Sequence, residues 1–178
     1  MGRDYFLDKD VLVDKDWDIY LVYSNINPYG YVYAMLKYTY TGKGLWRGYE
    51  RVLKYYGVKN MVRLNQEFSM EPCNGVTFPI LKLSRVFKHL RPEEKATELI
   101  RRPPESTQEA IFLDVYTALG VTEVGVTGSL LVGINHSKSD VDVVVYGCKN
   151  ALDVMSNFNG FEEDKEWVIE TSRNYGLS

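Results

Sequence analysis

The sequence predicts an α+β protein in two parts, a β-rich unit over residues 1–90 and a small mixed β-sheet with helices over residues 91–178. Three observations lead there. Before residue 90, aromatic and β-branched runs separated by Asn, Pro and Gly read as strands. From Pro92 onward, helix-start and helix-stop signals take over. Between residues 121 and 147, two short apolar runs flank a polar segment. With no repeat and no low-complexity stretch, the boundary between the parts is placed only within residues 80–106.

Asp18 to Tyr23 (DIYLVY) and Tyr31 to Tyr40 (YVYAMLKYTY) read as two strands of an antiparallel hairpin. Asn25-Ile26-Asn27-Pro28-Tyr29-Gly30 supplies the turn residues between them. Leu45, Tyr49, Val52, Leu53 and Tyr56 recur at helical spacing, so a helix is expected over 45–56 with Gly57 as its C-terminal cap. Pro92-Glu93-Glu94 opens a helix with proline early and acids at the positive end of the dipole, and Pro103-Pro104 stops it. Ser106 and Glu109 form an S-x-x-E capping pattern ahead of Ile111, Phe112, Val115 and Leu119, with Gly120 closing that helix. Arg101-Arg102 reads as a solvated helix end.

The bulk composition narrows the function classes. The chain has 178 residues, 45% of them apolar and 25% charged, which supports a folded core. A formal net charge of −3 removes the simple electrostatic argument for nucleic-acid binding and leaves only a local basic patch to supply one. Cys73, Cys148, His89 and His136 lack zinc-finger spacing, and reduced thiols are expected of both cysteines. No apolar run nears the roughly 18 residues that cross a bilayer, and the N-terminus does not read as a signal peptide. No membrane partner and a cytoplasmic location are the expectations. Eleven of the fourteen tyrosines precede residue 60, which invites base stacking; half-buried strands explain the bias more simply.

The chemistry concentrates in VTEVGVTGSLLVGINHSKSDVDVVVYG, residues 121–147. Val121 to Val126 reads as a short strand and Thr127-Gly128-Ser129 as a turn of small residues. Leu130 to Gly133 reads as a short helix, and Asp140 to Tyr146 as a buried strand ended by Gly147. Residues i and i+2 share a strand face, so Asp140 and Asp142 are expected side by side. Two such carboxylates repel each other unless a cation lies between them, and magnesium uses one or two carboxylates plus substrate phosphates. Gly128 allows close backbone approach, Ser129 adds a donor, and the free N–H groups of the next helix favour an anion. The halves form one site only if their strands are neighbours. In the loop between them, Ser139 is expected to orient the chain, and His136 and Lys138 to face solvent.

Gly128-Ser129, ten intervening residues, and Asp140-Val141-Asp142-Val143 resemble the signature of the DNA polymerase β-like nucleotidyltransferases. The longer string from Gly128 to Gly147 is similar to an archaeal group of predicted nucleotidyltransferases, over about residues 106–150. Thr127 stands where the signature has an apolar residue. The resemblance implies a nucleotidyltransferase-like fold for the second part. It implies Gly128 and Ser129 on the β- and γ-phosphates of an ATP-like NTP, and two Mg2+ ions on Asp140 and Asp142. It also implies transfer of a nucleoside monophosphate to a hydroxyl acceptor. That acceptor is left open among RNA, a protein side chain and a small molecule. A third carboxylate is implied on a later strand; Glu170 is the choice if Trp167 to Glu170 is that strand, ahead of Glu162, Glu163, Asp164 and Glu166. Many family members continue well past the equivalent of Ser178, so a shortened C-terminal part is implied.

Two other readings follow from the same residues. One is a nucleotide-binding regulatory module without catalysis. The other is an RNA- or protein-interaction module in the tyrosine-rich half, with Lys37, Lys43, Arg47, Arg51 and Lys54 as candidate cations.

Overall fold

The structure is a computed structural model, and it describes residues 3–53, 64–71, 73, 75–157, 162 and 165–175; the side chains of residues 167, 170, 174 and 175 lie outside the description. The protein is α+β, with five helices and nine strands among the described residues.

The strands β1 (Val11–Asp14), β2 (Ile19–Val22), β3 (Tyr31–Gly44), β4 (Gly48–Arg51), β5 (Phe68–Glu71), β6 (Val76–Lys82) and β7 (Val86–Leu90) form one sheet in the order β5-β6-β3-β2-β1-β7, with β4 on β3. Every pairing described is antiparallel. Only the 3-10 turn Leu83–Arg85 separates β6 from β7, yet β6 pairs with β3 and β7 with β1. The sheet therefore rolls up. Leu12, Tyr20, Val22, Val32, Ala34, Leu36 and Leu81 fill its inside, and Val86 packs against them.

The helices are α1 (Pro92–Ile100), α2 (Thr107–Leu119), α3 (Gly128–Val132), α4 (Cys148–Asn157) and α5 (Lys165–Tyr175). Strands β8 (Val124–Thr127) and β9 (Asp142–Val145) form a separate two-stranded antiparallel sheet. Ala96, Leu99, Phe112, Val124, Val126 and Leu130 make the core of this part. The rolled sheet's outer face is also covered: Val11, Val13, Ile19, Leu21 and Tyr38 cluster with Leu131 and Ile134. Burial on both faces explains why β1 and β2 are buried at every position, with apolar residues throughout except for Asp14 at the end of β1 and the hydroxyl of Tyr20.

The helix signals hold. Pro92 opens α1, the Ser106 hydroxyl accepts from the Glu109 N–H at 3.2 Å, and Gly120 closes α2 at φ 64°. The Glu109 carboxylate accepts from the Glu105 N–H at 2.7 Å and from Arg102. Arg102 is thus a clamp between two helices rather than a solvated end.

Three expectations are corrected. Residues 48–51 are strand β4, not helix, because they pair with Tyr38, Thr39, Tyr40 and Gly44 of β3; residues 45–47 are turn, with Trp46 bridged to Tyr49, and residues 52–53 are not helical either, while residues 54–57, with the expected Gly57 cap, lie outside the described residues. Leu45 and Tyr49, four apart, suit both periods, and the hairpin partner decides between them. The sheet expected to be mixed is an antiparallel pair. The segment holding Glu170 is helix α5, not a strand.

Candidate functional site

The register of β8 and β9 sets Thr127 opposite Asp142. The chain leaves β8 at Thr127 and turns at Gly128 with φ 67°, a left-handed conformation that glycine adopts without strain. A Cβ on Gly128 would overlap the Asp142 carboxylate. Glycine is therefore required twice, once by its backbone angle and once by its neighbour. The Gly-Ser turn and the second aspartate, expected to meet, do meet.

Thr127 resolves the departure from an apolar position. It is buried, and its hydroxyl donates to the Lys9 carbonyl at 2.7 Å, pinning the end of β8 to the rolled sheet. Ser129 is buried, and its hydroxyl makes no hydrogen bond among the described residues. Helix α3 ends at Gly133 as expected, with φ 78°. It has five residues, too few to build much macrodipole, so an anion would rely on local N–H groups rather than on the helix.

Asp140 stands before the strand, not on it, because β9 starts at Asp142. The expected i, i+2 pairing on one strand face is replaced by a loop residue beside a first strand residue. Both carboxylates are exposed and neither has a hydrogen bond or ion pair among the described residues. The Asp142 carboxyl is pushed above the usual range, first by the protein crowding its inner side and then by the charge of Asp140. Lys37, Arg51 and Lys9 pull it the other way.

Those cations come from the first part of the chain. Lys37 and Arg51 were candidates for a separate basic patch; instead they stand within electrostatic reach of Asp142. Exposed Lys43 and Arg47 do not join them, and Lys54 lies outside the described residues. Sequence reasoning missed this wall because the residues are about a hundred positions from the aspartates. Trp46 was missed too: its ring lies 5.5 Å from the His136 ring and 4.8 Å from the Arg51 guanidinium. His136 is thus half-buried against Trp46, while Lys138 faces solvent. Ser139 does orient the loop, its hydroxyl accepting from the His136 N–H at 3.0 Å.

The donor set fits magnesium. Neither carboxylate has a hydrogen bond or ion pair among the described residues, the Asp142 carboxylate lies against Gly128, and magnesium completes such a set with phosphate and water. Among the described residues no group of three His, Cys, Asp or Glu side chains stands together. Glu170 is named by sequence as the third carboxylate, but its side chain lies outside the described residues, and Glu162 and Glu166 are exposed. Cys73 and Cys148 are free, exposed thiols. No described helix is long and apolar enough to cross a membrane. No family model, curated protein or solved structure matches the chain, so its function is argued from this site.

Proposed function

We propose that the chain is a magnesium-dependent nucleotidyltransferase that moves a nucleoside monophosphate from an NTP to a hydroxyl acceptor. The observation that carries this reading is the contact between the Gly128 turn and the Asp142 carboxylate. It joins a place for phosphate to a place for metal within one small sheet.

In this reading the Gly128-Ser129 turn holds the β- and γ-phosphates. The backbone approaches closely at Gly128, and the uncommitted Ser129 hydroxyl donates. Asp140 and Asp142 would hold the two magnesium ions. When bound, the ions supply positive charge at the attacking and leaving oxygens. The acceptor oxygen forms a bond to the α-phosphorus, and the bond from that phosphorus to the bridging oxygen breaks. Pyrophosphate leaves, and the hydroxyl proton passes to a carboxylate of the site or to water. The acceptor is RNA, a protein side chain or a small molecule.

One observation favours a second reading, a nucleotide-binding module without transfer. Asp140 and Asp142 stand without a third carboxylate among the described residues. Incubation with α-labelled NTPs, magnesium and candidate acceptors separates the two. Transfer predicts label on an acceptor with pyrophosphate released in equal amount. Bound nucleotide that is recovered intact over many hours supports the binding module.

A further inference from the structure

The rolled sheet contributes an unusual lysine to the site. Along β3, Ala34 and Leu36 face the interior of the roll, whereas Met35 and Tyr38 pack on its outer face. Strict alternation would put Leu36 and Tyr38 on the same face. The register explains the change: Ile19 pairs with Tyr38 but its neighbour Tyr20 pairs with Leu36, leaving Lys37 as the extra residue of a β-bulge. Bulges re-aim side chains, and they are found where a sheet adjoins a site.

Lys37 is half-buried, with its ammonium 5.8 Å from the centre of the Tyr38 ring. It has no ion pair among the described residues. Arg51 is engaged by the Trp46 ring and by Tyr38, and Lys9 is paired with Asp8 at 2.9 Å. Burial, the largest influence, lowers the Lys37 pKa, and the charges of Arg51 and Lys9 add to that, while Asp142 and Asp140 favour its charged form. Tyr38, next to Lys37, clusters with Leu131 and Ile134 just after the Gly128-Ser129 turn, which brings the bulge to this site, and Lys37 and the carboxylates act on each other there without closing into a pair among the described residues. A ligand that presents a divalent cation to one wall and anionic oxygens to the other satisfies both. A magnesium–polyphosphate complex has that polarity.

We infer that Lys37 is a phosphate contact of this site, taking the polyphosphate of the nucleotide from the wall opposite Asp140 and Asp142. The inference rests on the nucleotide reading and extends it, since it makes the rolled sheet half of the binding site. Lysine suits the role as a compact point charge on a flexible stem.

Inorganic tripolyphosphate with magnesium is the probe. On the wild-type protein, amine acetylation is followed residue by residue with mass spectrometry. Magnesium tripolyphosphate is expected to slow modification of Lys37 severalfold and to leave exposed Lys43 unchanged. Lys37→Met is expected to weaken tripolyphosphate binding about tenfold, the usual scale for a lost charged hydrogen bond, with Lys37→Arg close to wild type. Lys37 modified at the same rate with and without the probe overturns the inference, whether or not the variants fold. If nucleotide still binds with magnesium in that case, only the Lys37 assignment falls. If neither nucleotide nor tripolyphosphate binds wild type, the nucleotide reading falls with it.

Discussion

Two pairs of aspartates stand at the ends of apolar strands in this protein, and they are treated in opposite ways. Asp10 and Asp14 flank β1 and are fully buried. Asp10 accepts from both terminal guanidinium nitrogens of Arg3, from the Leu7 N–H at 2.9 Å, and meets His89 Nε2 at 2.7 Å. Asp14 accepts from the N–H groups of Asp16 and Asp18 and from Arg85 at 2.6 Å. Asp140 and Asp142 lead into β9, are exposed, and have no such partners among the described residues. Burial works to raise both the Asp10 and Asp142 carboxyls. At Asp10 the hydrogen bonds from Arg3, His89 and Leu7 win and hold it low; at Asp142 the charge of Asp140 adds to the rise. A carboxylate that only supports the fold is given all its donors. Asp140 and Asp142 are given none among the described residues.

The largest test of this contrast is Asp10→Ala. It leaves Arg3 and His89 facing an empty, buried position, and the Arg3–Glu93–Tyr146 chain that ties β1 to α1 and the end of β9 loses its anchor. A loss of about 3–5 kcal/mol is expected in urea unfolding, the usual cost of removing one partner of a buried ion pair. A loss under about 1 kcal/mol would mean that water serves Arg3 equally well. Gly128→Ala comes next. Left-handed strain and the clash with Asp142 should cost about 1–3 kcal/mol and displace the carboxylate, abolishing magnesium-dependent nucleotide binding. Wild-type stability and binding in that variant would break the proposed contact.

Ser129→Ala should weaken triphosphate binding by about 1 kcal/mol while leaving nucleoside binding unchanged, because the hydroxyl has no other partner to lose. Equal losses for both ligands would contradict a phosphate role. The smallest expected effect is on stability in Asp142→Asn, and its sign is the informative part. Asp142 has a folded pKa above its unfolded value, about 4. Its favourable contribution is present below the unfolded pKa and lost as pH rises through the folded one. Asp142→Asn should therefore be slightly more stable than wild type at neutral pH, with the advantage closing on acidification through that window. A variant less stable at pH 7 would show that Asp142 supports the fold as Asp10 does.

The parts of this design that were legible in sequence are those set by local chemistry. Pro92, Ser106, Gly120 and Gly133 mark helix ends because capping is decided within a few residues. The approach of the Gly128-Ser129 turn to Asp142 was legible because one short segment carries both, and β8 and β9 are consecutive strands. What required the fold was set by distant partners. Residues 48–51 took strand geometry from β3. Lys37 was re-aimed by a register shift against β2 that leaves no mark in composition. Asp10 and His89 are 79 positions apart, and nothing local distinguishes the saturated Asp10 from the uncommitted Asp140.

The central claim is that the Gly-Ser turn and the aspartate pair form a single metal-dependent nucleotide site. Calorimetric titration of ATP, GTP, CTP and UTP, with and without magnesium, tests it most directly. The comparison is between wild type and the Asp140→Asn/Asp142→Asn double variant. The account predicts binding of at least one NTP that requires magnesium and disappears in a folded double variant. No binding by folded wild-type protein, or binding that survives loss of both carboxylates, would contradict it.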